Sequence, residues 1–198
     1  MKRFVRPRAI ALVAAGALSI AAVSASMSAM AQVDAAKSSV TATGKQLGVP
    51  MDIKFGKFDA AVNYNAANVA ASTATVNIDI NSVDVGSKDY NDELKKKDWF
   101  NAAQYPKATF VSSAFKPGAN GKVDVVGKLT IKGKTVDVVT PFTYRDAPGG
   151  GMIDGNFSVK RLQFNIGEGA WKDTDTVADE VQIRYQLLLG RSPAPAKK

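Results

Sequence analysis

The chain is expected to be all-β, a single eight-stranded antiparallel up-and-down β-barrel with one helix near residues 88–98. Three observations carry that expectation. Apolar and polar residues alternate in run after run of strand length, which puts one dry and one wet face on each run. Turn signals such as Asn120-Gly121, Lys132-Gly133 and Pro148-Gly149-Gly150-Gly151 join most of the runs at short intervals. Two long runs change phase part-way, and since a slip by one residue turns the dry face to water, each needs a bulge or a sharp bend. Bends of that kind curl a sheet until it closes on itself.

Taken in order, the first strand spans Ser38 to Gly44. The second begins with Met51, Ile53 and Phe55 at odd positions and continues with Phe58, Ala60 and Val62 at even ones, the switch falling at Gly56-Lys57. Val76, Ile78 and Ile80 alternate with Thr75, Asn77, Asp79 and Asn81 in the third. The helix candidate follows, Lys88 to Asp98, with Tyr90, Leu94 and Lys97 at helical spacing and Trp99-Phe100 before the break at Tyr105-Pro106. Ala108 to Phe115 is the fourth strand, and Val123, Val125, Gly127, Leu129 and Ile131 form the dry side of the fifth. Val136, Val138, Phe142 and Tyr144 mark the sixth. In the seventh, Ile153, Phe157 and Val159 give way to Leu162, Phe164 and Ile166 around Lys160-Arg161, and Val181, Ile183, Tyr185, Leu187 and Leu189 complete the eighth.

The 198 residues divide into a leader, one domain and a tail. Residues 1–31 read as a secretory signal peptide: a basic stretch from Lys2 to Arg8, an uncharged run from Ala9 to Ala31, and Ala29-Met30-Ala31 as the cleavage pattern before Gln32. Cleavage between Ala31 and Gln32 implies a periplasmic or secreted protein. Residues 191–198 form a Pro/Ala tail with disorder-prone composition, which leaves 32–190 as the domain. The chain has no Cys and no His, so thiol nucleophiles, disulfides, Cys/His metal sites and imidazole catalysis are excluded. Its formal charge of +8 drops to +4 without the leader and to +1 without the tail's Arg191, Lys197 and Lys198, so the domain carries no footprint for nucleic acid.

Five stretches, in order, carry a family resemblance over about Ser38 to Leu189. They are Lys45-Gln46-Leu47-Gly48-Val49-Pro50, Asp98-Trp99-Phe100, Tyr105-Pro106-Lys107-Ala108-Thr109-Phe110, Gly127 to Gly133, and Arg161-Leu162-Gln163-Phe164-Asn165-Ile166-Gly167-Glu168-Gly169-Ala170-Trp171. With these the chain resembles the YceI family, exported lipocalin-like barrels that bind polyisoprenoids or similar long-chain amphiphiles. Two positions depart from the family pattern: Ala42 stands where Phe is usual and Ile53 where Gly is usual, changes expected to widen one part of a cavity and narrow another.

An eight-stranded barrel is just wide enough to be filled by side chains or to hold one slender ligand. On residue pattern alone the inner stripe reads as ordinary core. The resemblance implies a cavity wall instead, with Phe55, Val76, Ile78, Ile80, Trp99, Phe110, Val125, Leu129, Val138, Phe142, Phe157, Val181, Ile183 and Tyr185 touching the ligand. Each ligand methylene buried there contributes on the order of 0.8 kcal/mol, so no charged anchor is required. Trp99 and Phe100 fit either a plug packed on one barrel end or a lid over ligand.

Arg161 at the phase switch is the head-group candidate, since guanidinium suits phosphate, although an Arg at a bulge also caps backbone carbonyls. Lys95-Lys96-Lys97 suits a transient contact with anionic lipid or a solvated helix end. Asp173 and Asp175 lack the further ligands of a calcium loop, and Gly167-Glu168-Gly169 is a turn rather than a phosphate cradle, so no metal, cofactor or catalytic residue is expected. The expected partner is a polyisoprenoid or long-chain lipid, and a homodimer is compatible with the sequence. An integral membrane barrel conflicts with Lys and Asp on the outer face. The alternative reading is an enzyme of isoprenoid or quinone metabolism using carboxylate, Tyr or Lys chemistry.

Overall fold

A computed structural model describes residues 31–190. The expected leader and tail therefore lie outside the described residues, apart from Ala31. Eleven strands and one α-helix follow in the order β1 (Ala31–Gln32), β2 (Ser39–Gln46), β3 (Val49–Phe55), β4 (Phe58–Asn63), β5 (Thr73–Asp79), β6 (Val83–Asp84), α1 (Lys88–Lys95), β7 (Lys107–Pro117), β8 (Val123–Ile131), β9 (Lys134–Ala147), β10 (Gly150–Lys160) and β11 (Glu180–Gly190). They form one antiparallel sheet in the order β1-β4-β5-β7-β8-β9-β10-β11-β2-β3-β6. The fold is all-β and barrel-like, but the strand count is eleven rather than eight. Eight long runs are present; one of them is cut in two, and two strands of two residues are added.

The cut falls at the first phase switch. β3 ends at Phe55 and β4 starts at Phe58, so the chain at Gly56-Lys57 leaves β2 at one edge of the sheet and joins β5 at the other. One continuous run thereby links the two edges. Ser82 fastens the crossing: its carbonyl accepts from Gly56 N–H at 3.1 Å and its Oγ from Lys57 N–H at 3.0 Å. At the opposite end of the barrel, the segment after β1 lies between β4 and β11. Val33 N–H donates to Ala60 O at 3.2 Å and Asp34 N–H to Leu188 O at 2.9 Å.

The second phase switch is not a bulge. β10 stops at Lys160, and Arg161–Phe164 make a 3-10 turn that ends on Asn165 in the left-handed region (φ 55°). The helix is shorter than expected and stops at Lys95. It carries Asp89 in its first turn and Lys95 in its last, both favourable to the helix dipole, and buries Leu94.

Burial follows the predicted alternation most clearly in β8, where Val123, Val125, Gly127, Leu129 and Ile131 are all buried. Apolar side chains gather in two clusters. One, around Val40, Val62, Phe115, Phe142 and Leu187, fills the barrel end near β1. The other, around Ile80, Leu94, Trp99, Phe100, Phe164 and Ile166, fills the end covered by α1. Trp99 and Phe100 are thus packed as a plug, Trp99 5.4 Å ring to ring from Trp171 and Phe100 edge-on to Phe55.

Candidate functional site

Between the two clusters the barrel is hollow. The cavity holds about 240 Å³ and its wall is apolar almost throughout. It accounts for a feature of the burial pattern: Val76, Ile78, Phe110, Phe157, Val181, Ile183 and Tyr185 point inward yet are only half-buried, because they face this space. Phe55, Ile80, Trp99, Val125, Leu129 and Phe142 line it as well. Lys45 and Tyr90 are the exposed residues of the wall, and with Gln46 and Glu93 they set the mouth between the β2–β3 hairpin and α1.

Val138 does not line the cavity. It packs against the cluster of Phe164 and Ile166 instead. β9 pairs with β10 only from Phe142 onward, and ahead of that point the 3-10 turn at Arg161–Phe164 lies against β9. Sequence spacing places Val138 with Phe142 on one face, but only the tertiary structure shows that this half of the strand is covered by a turn.

Glycines shape the wall. A Cβ on Gly127 would stand 2.5 Å from the Phe110 ring, and one on Gly155 would stand 2.3 Å from Tyr185 Cζ and Oη. In each case an aromatic ring of a neighbouring strand occupies the place a side chain would take. Ala42 and Ile53, expected to alter different parts of the cavity, are cross-strand partners and both line it. The small residue and the large one compensate at a single place in the wall.

Arg161 is not a head-group ligand. It is 3% exposed, and its five N–H groups all donate to backbone carbonyls: Nε to Ala178 at 3.1 Å, one terminal nitrogen to Ile166 and Gly167 at 2.8 and 3.0 Å, the other to Trp171 and Val177 at 2.8 and 2.7 Å. Burial pushes its pKa down and Asp179 opposes that shift, while a guanidinium stays charged in either case. Nothing on it is left to hold a phosphate.

The remaining motifs converge on the same loop. Lys132 Nζ donates to Asn165 O at 2.6 Å and to Glu168 at 2.8 Å, and this contact holds the Glu168 carboxyl below its usual range. Asp98 O accepts from Gly167 and Glu168, each at 2.8 Å, and the Tyr105 ring lies against Gly133. Ala178 N–H donates to Lys45 O and Leu47 N–H to Thr176 O, each at 2.9 Å, so three distant stretches, at Lys45–Leu47, Asp98 and Lys132, fasten the segment from Arg161 to Ala178, which closes one side of the cavity.

Two polar features were missed from sequence. Trp99 Nε1 is buried without a hydrogen-bond partner. Thr140 and Tyr185 share a hydrogen bond of 2.8 Å in the cavity wall, and burial pushes the Tyr185 pKa up to about 12 against the lowering effect of Thr140. Thr140 continues the inward parity of Val136, Val138 and Phe142, which was the one available signal.

The chain is similar to proteins of the same shape. BcnA of Burkholderia cenocepacia is 49% identical and superposes with a TM-score of 0.76 over 78% of this chain and 98% of BcnA. A polyisoprenoid binding domain from Saccharophagus degradans, implicated in plant cell wall breakdown, is 18% identical with a TM-score of 0.64, covering 82% of this chain and 99% of that one. A UPF0312 protein of Vibrio cholerae is 30% identical over 138 residues, 65% of this chain and 73% of that protein. The model of the YceI-like domain matches residues 32–189, which takes in every long strand but for the last residue of β11 and all five motif stretches, and the chain belongs to the YceI-like family.

Proposed function

We propose that this protein binds and shields a long-chain amphiphile, a polyisoprenoid such as an isoprenoid quinone or polyprenyl lipid, inside its barrel, for transport or storage in the periplasm. The observation that carries the reading is the apolar cavity left between two packed clusters, whose inward side chains remain half-buried. A filled barrel would bury them. The likeness in fold to a polyisoprenoid binding domain supports the ligand class. Export is supported by the leader pattern ending at Ala31, with the family match beginning at the next residue. On this reading the protein acts by binding without turnover, and meets membranes only while exchanging ligand.

The test is mass spectrometry of the organic extract from natively purified protein, paired with a blocking variant. The blocking variant is Ile183→Trp, because Ile183 faces the cavity. Overpacking a true core costs about 1–3 kcal/mol, whereas a ring projecting into a ligand cavity displaces ligand instead. Extracted lipid is expected to fall sharply while the melting midpoint of the lipid-free protein stays nearly unchanged. Absence of lipid in the parent together with a collapsed midpoint in the variant would overturn the proposal.

A further inference from the structure

Thr140 on β9 and Tyr185 on β11 interrupt the apolar wall with two hydroxyls. The Tyr185 side chain reaches Thr140 by crossing β10 over Gly155, where no Cβ obstructs it. Two hydroxyls carry two protons, and their mutual bond uses one. Neither oxygen has another hydrogen-bond partner among the described residues. Whichever group donates, the other O–H remains without a protein acceptor beside an apolar cavity, where an oxygen from a ligand gains a full hydrogen bond.

The pair is far from the mouth. Tyr185 is in register with Val40 of β2, and Lys45 at the mouth lies five residues further along that strand. At the usual strand rise this is about 17 Å. The charged residues of the wall are Lys45 and Glu93 at the mouth and Arg161, whose N–H groups are spent on carbonyls. A phosphate at the inner end would lose its hydration with no cation to compensate.

We propose that Thr140 and Tyr185 are the anchoring site for the polar end of the ligand, a single neutral oxygen acceptor such as a ketone or quinone carbonyl, with the hydrocarbon tail running toward the mouth. This rests on the binding function proposed above and adds to it an orientation and a preference for neutral over phosphorylated head groups. The competing role is a latch that ties β11 to β9 across β10.

The test uses lipid-free protein and three probes with the same four-isoprene tail: geranylgeranylacetone, geranylgeranyl phosphate and the all-hydrocarbon analogue. The Thr140→Val/Tyr185→Phe double variant removes both hydroxyls at nearly constant shape. It is expected to weaken the ketone by roughly 3- to 10-fold, the value of one hydrogen bond, and to leave the other two probes within about twofold. In the parent protein, the infrared carbonyl stretch of bound ketone is expected at lower frequency than in alkane, a readout that does not depend on the variant folding. An unshifted carbonyl, no change in ketone affinity, or an equal loss for all three probes would overturn the anchor. Failure of every probe to bind the parent would overturn the binding function itself.

Discussion

Arg161 converts a charged side chain into backbone scaffolding, with its guanidinium facing five carbonyls of the segment that closes the cavity. Removing it leaves those carbonyls unpaired in a buried site. Arg161→Met is therefore expected to cost about 3–5 kcal/mol in denaturant unfolding, and Arg161→Lys, with three donors and no planar fork, to recover less than half of that. A near-neutral Arg161→Lys would contradict this role. Tyr185 makes a second residue-scale prediction. Its folded pKa is raised from 10 to about 12 by burial, so its contribution is present below pH 10 and lost as pH rises from 10 to 12. Stability of the parent should fall across that window by on the order of 2–3 kcal/mol more than that of Tyr185→Phe, and the phenolate absorbance lost in Tyr185→Phe should be a late-titrating component. Of these two roles the sequence disclosed one in outline, carbonyl capping by an Arg at a phase switch. The partner carbonyls lie 5 to 17 residues away along the chain and meet only after folding.

Among the elements, hairpins joined by two residues show how local chemistry can be overruled. Lys132-Gly133 and Leu47-Gly48 both have positive φ at each position, the arrangement that matches the twist of flanking strands and favours Asn-Gly. Leu47 is 73% exposed and strained there at φ 49°. Leu47→Asn is expected to stabilise the protein by about 0.5–1 kcal/mol in thermal unfolding. A loss of stability would mean that the Leu side chain makes a contact the turn depends on. At Gly127 the opposite sign holds: Gly127→Ala must move both the Phe110 ring and the Val111 carbonyl, 2.6 Å from the added Cβ, at about 3 kcal/mol, the upper end of the usual overpacking cost. The two phase switches look alike in sequence, yet one is a bend between β3 and β4 and the other a 3-10 turn after β10. Alternation over three apolar residues does not separate a strand from a tight turn, because both can bury every second residue.

For the whole molecule, closure of the barrel depends on two connections between residues distant in the sheet: the crossing at Gly56-Lys57 and the segment Gln32 to Asp34 between β4 and β11. Cleavage after Ala31 would remove the rung between Ala31 and Val62 and keep the rung between Gln32 and Ala61 and the bonds of Val33 and Asp34. On the proposed export, the mature protein is expected to begin at Gln32, which N-terminal sequencing of the soluble fraction checks, and to keep the fold these bonds hold. A mature species that retains Ala9 to Val23 and sediments with membranes would contradict it.

The sequence by itself determined the all-β class, the eight long runs, a break in alternation at Gly56-Lys57 and the inward stripe of runs such as Val123 to Ile131, because these follow from period-two alternation and turn chemistry within a few residues. Only the tertiary structure decided that the inward face encloses space rather than a filled core. Whether a stripe of Val, Ile and Phe packs on itself depends on barrel circumference, on rings laid against Gly127 and Gly155, and on the clusters packed toward the two ends. Those relations join residues from different strands. The placement of Val138 outside the wall and of the Thr140–Tyr185 pair inside it was decided there too, by how far β9 runs beside β10 before a turn replaces it.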